Sequence, residues 1–194
     1  LSRGRALADA FAKQPDVEVK YVCDIDTTRA EETARTVAGA VGKSPRPITD
    51  FRQILDDPEV DALVCAAPNH WHAPATILSC AAGKHVYVEK PCSHNPREGE
   101  LMVAAARKYK RAVQVGTQRR SGPGWAQAME KLWTGAIGRV YLVRARYYSA
   151  RGSIGHGKPA EVPAHINYDL WQGPAPRQPY LDNVVHYNWH WRWH

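Results

Sequence analysis

Over its first 116 residues the sequence alternates short apolar runs with segments of helical spacing, and this alternation limits what the chain can fold into. Ala6, Leu7, Ala10 and Phe11 share a helix face, and the run 17–23 follows, where Val17, Val19, Tyr21 and Cys23 alternate with polar neighbours. Ala30, Ala34, Val37, Ala38 and Val41 make one stripe of a helix over Thr27–Val41, which Gly42 closes with Pro45 and Pro47. A turn and a short helix over 50–56 lead to the run 60–67 (VDALVCAA), unbroken in apolar residues from Ala62 and so suited to a strand buried on both faces. A helix over 73–82 ends at Gly83, and His85–Glu89 (HVYVE) is the next strand. Asn95-Pro96-Arg97-Glu98 has the grammar of a helix start: a cap, a proline in the first turn and a glutamate three after the cap. That helix runs to about Lys110, and 112–116 (AVQVG) is one more strand.

Strands separated by helices of roughly 10 to 15 residues pair in parallel through right-handed crossovers, which predicts an α/β, doubly wound sheet. In such a sheet strand carboxyl ends and helix amino ends meet at one edge, where free backbone N–H groups favour an anionic ligand. From Gly122 the pattern changes. Trp125, Ala128, Met129, Leu132 and Trp133 form a helical face ended by Gly135 and Gly138, and 139–149 reads as a long strand with Tyr141, Val143, Ala145 and Tyr147 on one side. A second domain is expected to open here. The stretch from about 150 to 186 is rich in Gly and Pro with little periodicity, a length of loop that is functional or packs on something else.

The formal net charge of +7 raises the question of nucleic acid, but the basic residues are scattered, without a basic helix or an aromatic ribonucleoprotein motif, so no nucleic-acid partner is expected. The longest apolar stretch, 62–68, falls well short of the roughly 18 to 20 residues of a membrane helix, so no membrane partner is expected either. Four cysteines without CxxC spacing argue for reduced thiols rather than disulfides or a cysteine zinc site. The first residue is Leu1 rather than Met, so an initiator, export signal or opening strand is expected to be missing; the cytoplasm is only the default compartment.

The chemistry is expected at the strand ends. Gly4 and Asp24 stand 20 positions apart, close to the separation of phosphate-turn glycine and ribose-binding acid in dinucleotide folds; the alternative is a helix-start glycine and a turn aspartate. Pro68-Asn69-His70-Trp71-His72 opens a helix after the most apolar strand, as a ligand-facing turn or as a capping Asn69 with solvated histidines. His70 and His72 have a spacing that could suit a metal, but no third ligand sits near, and no metal site is expected. Glu89 and Lys90 put an acid and a base at the same edge, where a partly buried lysine can relay a proton; the alternative is an exposed pair in a turn, and Pro91 allows a cis bond after Lys90.

The runs CDID (23–26), APNHWHAPATI (67–77), HVYVEKP (85–91), VQVGTQRRS (113–121) and DLWQGP (169–174), in this order along the chain, resemble the Gfo/Idh/MocA family of nicotinamide-dependent oxidoreductases. The resemblance implies a Rossmann domain over 1–119 that lacks its first strand, and over 120–194 the truncated beginning of an α/β domain with a large open mixed sheet. It implies a dehydrogenase that moves a hydride between NAD(P) and a hydroxyl-bearing carbon of a sugar, polyol or cyclitol. Related alternatives are an enzyme of the same fold that cleaves or isomerises glycosides with bound NAD, and a non-catalytic dinucleotide-binding protein. By resemblance Gly4 belongs to the pyrophosphate turn and Asp24 bonds the adenosine ribose, which favours NAD, while Arg29 leaves NADP open. Pro68, Asn69 and His72 match the segment along the cofactor, Glu89 and Lys90 the nicotinamide-ribose and catalytic positions, and Gln118 the residue after the last Rossmann strand. Arg119 and Arg120 either reach substrate oxygens or face water. Homo-oligomers are expected through the second-domain sheet.

In the family the proton acceptor is a histidine preceded four positions earlier by Asp or Asn in a Gly-containing motif; no such motif is found in this chain, and the resemblance puts it beyond His194. In the terminal run 186–194, alternation sets Trp189, Trp191 and Trp193 against His190, Arg192 and His194, read first as packing on a sheet, then as substrate contact or metal binding.

Overall fold

The computed structural model describes residues 2–148 and 152–188. The elements run α1 (Ser2–Ala12), β1 (Tyr21–Cys23), α2 (Thr27–Val41), β2 (Arg46–Ile48), α3 (Arg52–Leu55), β3 (Ala62–Cys65), α4 (Asn69–Ala81), β4 (His85–Glu89), α5 (Pro96–Tyr109), β5 (Val113–Gly116), α6 (Pro123–Trp133) and α7 (Tyr168–Gln172). Local chemistry sets the helix ends. The Asp26 side chain accepts from Arg29 N to start α2, and Gly42, at φ 74°, returns its N–H to Ala38 O to stop it. At α5, Asn95 Oδ1 accepts from Glu98 N at 3.0 Å while Glu98 accepts from His94 N at 2.7 Å, so two otherwise orphaned donors are satisfied together.

All strand pairs are parallel. β3, β4 and β5 form one sheet in which Cys65 pairs with Val88 and Glu89 with Gly116, and β1 pairs with β2 in a second. Leu63, Cys65, Val86 and Val88 pack with Ala73 of α4 and Met102 of α5 to make the core. The inner edges, β1 and β3, border a common cleft of about 1140 Å³ that Gly4, Ala8 and Phe11 of α1 also line.

Several elements differ from the sequence expectation, each for a physical reason. Only Tyr21–Cys23 of the run 17–23 is in a ladder, because β2 offers three partners. β2 itself contains Pro47, which reads as a breaker but is tolerated because an edge strand can leave one side without a donor. The run 60–67 is not buried on both faces: Leu63 and Cys65 are buried, whereas Val64, which borders the cleft, is 38% exposed. Through residue 148 the strand expected over 139–149 has no ladder partner among the described residues, and Tyr141 and Val143 are exposed; cross-strand pairs are what stabilise a strand. The open mixed sheet expected after residue 120 is therefore not among the described residues, where α6, α7 and isolated bridges stand instead. Trp189 to His194 lie outside the described residues.

The Gly- and Pro-rich segment does pack on something. Tyr168, Trp171 and Val184 form a second apolar cluster with Ile25, and backbone bonds from Thr27 N to His165 O (3.0 Å) and from Asn167 N to Ile25 O (2.8 Å) tie it to the turn after β1.

Candidate functional site

The carboxyl ends of β1, β3, β4 and β5 bring Asp24, Pro68 with Asn69, Glu89 with Lys90, and Gln118 to the edge where helices α2 and α4 begin. At the β4 end the acid and the base part company. Glu89 is 4% exposed, and its Oε1 receives Arg3 Nε at 2.8 Å and Nη2 at 2.6 Å. The bond to Glu89 raises the Arg3 guanidinium further, against the opposing effect of burial. Gln118 Nε2 donates to Glu89 Oε2 at 3.5 Å. Lys90 is exposed, not partly buried as a shifted proton relay would require, and its bond to Pro91 is cis.

Gly116, paired with Glu89, has no room for a side chain: a Cβ would lie 2.5 Å from Tyr87 Oη and 2.9 Å from Glu89 Oε1. Gly4 is less constrained. It lies in the first turn of α1, where a Cβ would make an ordinary 3.8 Å contact with the Ala66 Cβ. Asp24 Oδ1 accepts from Asp26 N at 3.1 Å, holding the turn after β1. Arg29 lies 3.7 Å from the Asp26 carboxylate. Gln118 takes φ 54° and opens a 3-10 turn over Gln118–Ser121 that includes Arg119 and the exposed Arg120.

The turn after β3 departs most from expectation. Asn69 is the first residue of α4 and not its cap; the cap position is Pro68, which offers no side-chain acceptor. His70 is buried, its Nε2 2.9 Å from Trp171 O, and Trp71 Nε1 donates to Leu170 O at 2.9 Å, so these side chains seat α7 rather than face water. His72, expected along a cofactor, is 2% exposed, with Nδ1 2.5 Å from Pro91 O and Nε2 2.8 Å from Ala67 O. Among the described residues no group of three His, Cys, Asp or Glu is arranged to hold a metal, and no helix is long and apolar enough to cross a membrane.

Sequence reasoning missed two contacts of buried carboxylates. One is Arg3 on Glu89. The other joins His186 Nε2 to the buried Asp26 carboxylate at 2.9 Å, with burial, then Arg29, lowering the His186 pKa against the pull of Asp26 and Asp24. Asp182 precedes His186 by four positions, a spacing readable in the sequence, but Asp182 Oδ1 accepts from Lys158 N and the imidazole is held at the β1 end while Lys90 follows β4.

Residues 3–117 match the model of GFO_IDH_MocA, an oxidoreductase family with an NAD-binding Rossmann fold. The inositol 2-dehydrogenase of Salmonella typhimurium is 30% identical over 135 residues, 69% of this chain and 39% of the relative. The levoglucosan dehydrogenase of Pseudarthrobacter phenanthrenivorans is 35% identical over 128 residues, 66% of this chain and 32% of the relative. The chain thus spans less than two fifths of the length of these relatives. Among solved structures, the WlbA dehydrogenase from Bordetella pertussis, in complex with NADH and UDP-GlcNAcA, is 27% identical with a TM-score of 0.59, covering 72% of this chain and 38% of its own. The myo-inositol 2-dehydrogenase of Lactobacillus plantarum, at 23% identity and a TM-score of 0.62 over 72% of this chain and 39% of its own, shares the fold. With parallel strands delivering an acid and a lysine to the edge where helices begin, and with the family match running from residue 3 to 117, the chain belongs to the Gfo/Idh/MocA oxidoreductases.

Proposed function

We propose that residues 1–119 are the NAD-binding part of a dehydrogenase acting on a hydroxyl-bearing carbon of a cyclitol, polyol or sugar, and that 120–194 begin its substrate-holding, oligomer-forming domain. The observation that carries this reading is that Asp24 follows β1 while Glu89 and Lys90 end and follow β4, each at the carboxyl end of a parallel strand. The residues fit the cofactor's chemistry. The first turn of α4 has no side-chain cap and leaves backbone donors for a pyrophosphate, as does the first turn of α1 around Gly4; Asp24 supplies an acceptor for ribose hydroxyls. Gly116 leaves the β4 end without a side chain from its neighbour. A carboxylate at Asp24 repels a 2′-phosphate, so NAD is favoured over NADP, and Arg29, already beside Asp26, offers little to offset it.

Bound NAD supplies the hydride acceptor. Pro68 and Asn69 would border it, Glu89 would orient the nicotinamide ribose, and Gln118, bonded to Glu89, would close the site beside it. The exposed Lys90 ammonium would donate to the oxygen on the carbon that gives up hydride and so hold that carbon toward the nicotinamide, the hydroxyl proton passing to a base of the second domain, and Arg120 would take a further hydroxyl. The cleft between β1 and β3 is bordered by strand edges that pair on their other sides only.

The test is a fluorescence titration with NADH and NADPH, followed by turnover of the full-length protein, which supplies the proton acceptor, with myo-inositol, levoglucosan and a polyol panel. Lys90→Ala is expected to keep NADH affinity and to lower turnover by about 10²- to 10⁴-fold. Turnover that survives the substitution overturns the role of Lys90.

A further inference from the structure

We infer that His72 is a positioning residue for Lys90: its imidazole carries a proton on each nitrogen and clamps the turn bearing Lys90 to the end of β3. The inference rests on the reading of Lys90 above. His72 is the fourth residue of α4 and is 2% exposed. Its Nδ1 lies 2.5 Å from Pro91 O and its Nε2 2.8 Å from Ala67 O. Backbone carbonyls only accept, and a neutral imidazole has one N–H. With a single proton, one ring lone pair would face a carbonyl lone pair at hydrogen-bond distance in a site closed to water, which is repulsive and leaves a buried acceptor unsatisfied. With two protons both contacts are bonds.

The placement explains what the clamp does. The β3–β4 ladder ends at Cys65 with Val88, so Ala67 and Pro91 both lie past the last paired residues, where the strand ends are free to diverge. His72 spans them there. The ring is held from behind by α4, where Thr76 Oγ1 donates to His72 O at 2.8 Å. Lys90 is exposed and its side chain is not fixed by packing, so the backbone on either side of it sets where the ammonium starts. On one side is Glu89, held by Arg3; on the other is Pro91, whose carbonyl His72 holds.

The experiment is proton-detected nitrogen NMR on histidine-labelled protein, with His72 assigned by its loss in His72→Phe. Two ring N–H signals that exchange slowly with solvent are expected; a single N–H overturns the clamp, and this readout needs no activity, with His72→Gln serving for the assignment if His72→Phe does not fold. Position is read separately, by reductive methylation with labelled carbon, which gives Lys90 a signal assigned through Lys90→Arg. NADH is expected to shift that signal in the native protein; in His72→Phe, NADH should still bind within about threefold of native affinity while the Lys90 shift is lost. A native-sized shift in His72→Phe overturns the positioning role. No shift in the native protein overturns the reading of Lys90 itself and with it the positioning role, whatever the ring protons show.

Discussion

The indole of Trp71 closes on Gly173: its Nε1–H donates to Leu170 O at 2.9 Å, and a Cβ at position 173 would stand 2.5 to 2.7 Å from the ring. Gly173 also sits at φ 56° and ψ −126°, a conformation that residues with a Cβ rarely adopt. The first turn of α4 and the end of α7 are therefore fitted to each other through a glycine and a tryptophan, and α7 carries with it the segment that packs on the turn after β1.

Gly173→Ala is expected to cost about 1 to 3 kcal/mol, since it combines backbone strain with a clash against a ring that is itself packed on Phe51. Thermal unfolding measures the loss. Hydrogen exchange at Asn167, whose amide bonds Ile25 O, says where it falls: faster exchange there places the damage at the α7 contact, and unchanged exchange means that Trp71 does not hold the segment down.

Acidification should loosen the same segment. Burial holds the folded-state pKa of His186 below its ordinary value of 6.5, and the neutral ring donates to Asp26. The unfolded chain takes up the proton first as pH falls, so in the window from 6.5 down to the folded value it binds more protons and stability drops. Below that window both states are protonated and the slope vanishes. Exchange at the Thr27 and Asn167 amides is expected to quicken as pH falls from 7.5 through 6.5, after correction for intrinsic rates. His186→Asn, which keeps a donor for Asp26 without a titration, should flatten that dependence; an equally steep dependence in the variant assigns it to another group.

Elements set by local chemistry are the ones the sequence makes legible. Thr27–Val41 and His85–Glu89 are read residue for residue, because one has an aspartate cap and a glycine stop and the other alternates between turn signals. β2 is hidden by Pro47, and the docking of α7 is hidden because it depends on contacts such as His70 with Trp171, 101 positions apart. In the candidate site the strand-end rule points to Asp24, Glu89 and Lys90, and the family resemblance adds Gln118. It does not say that Glu89 turns in and Lys90 out, nor that His72 is buried, because the partners of that ring are carbonyls brought together by two separate turns.

Asp24→Ala tests the cofactor assignment directly. Loss of a charged acceptor for ribose hydroxyls removes about 1.5 to 3 kcal/mol of binding, so NADH affinity should fall roughly 10- to 100-fold. NADPH affinity should hold or rise, because a negative charge facing the 2′-phosphate is gone. Parallel fluorescence titrations of the two cofactors give the ratio. Equal losses for both would detach Asp24 from the ribose and leave it as a turn residue that bonds Asp26 N.

The Arg3–Glu89 pair separates support from chemistry. Glu89 is nearly buried and its carboxylate relies on a guanidinium that is itself 41% exposed, so the pair is partly screened. Arg3→Met should cost about 1 kcal/mol, chiefly by leaving the carboxylate without its cation. Glu89→Gln in the Arg3→Met background should restore much of that loss, since a neutral amide needs no counter-charge, and the double-mutant cycle measures the coupling. Turnover should not follow stability. If Glu89 orients the nicotinamide ribose, the double variant regains its unfolding temperature and stays impaired in NADH use, whereas recovery of both together would make Glu89 a structural partner of Arg3 and nothing more.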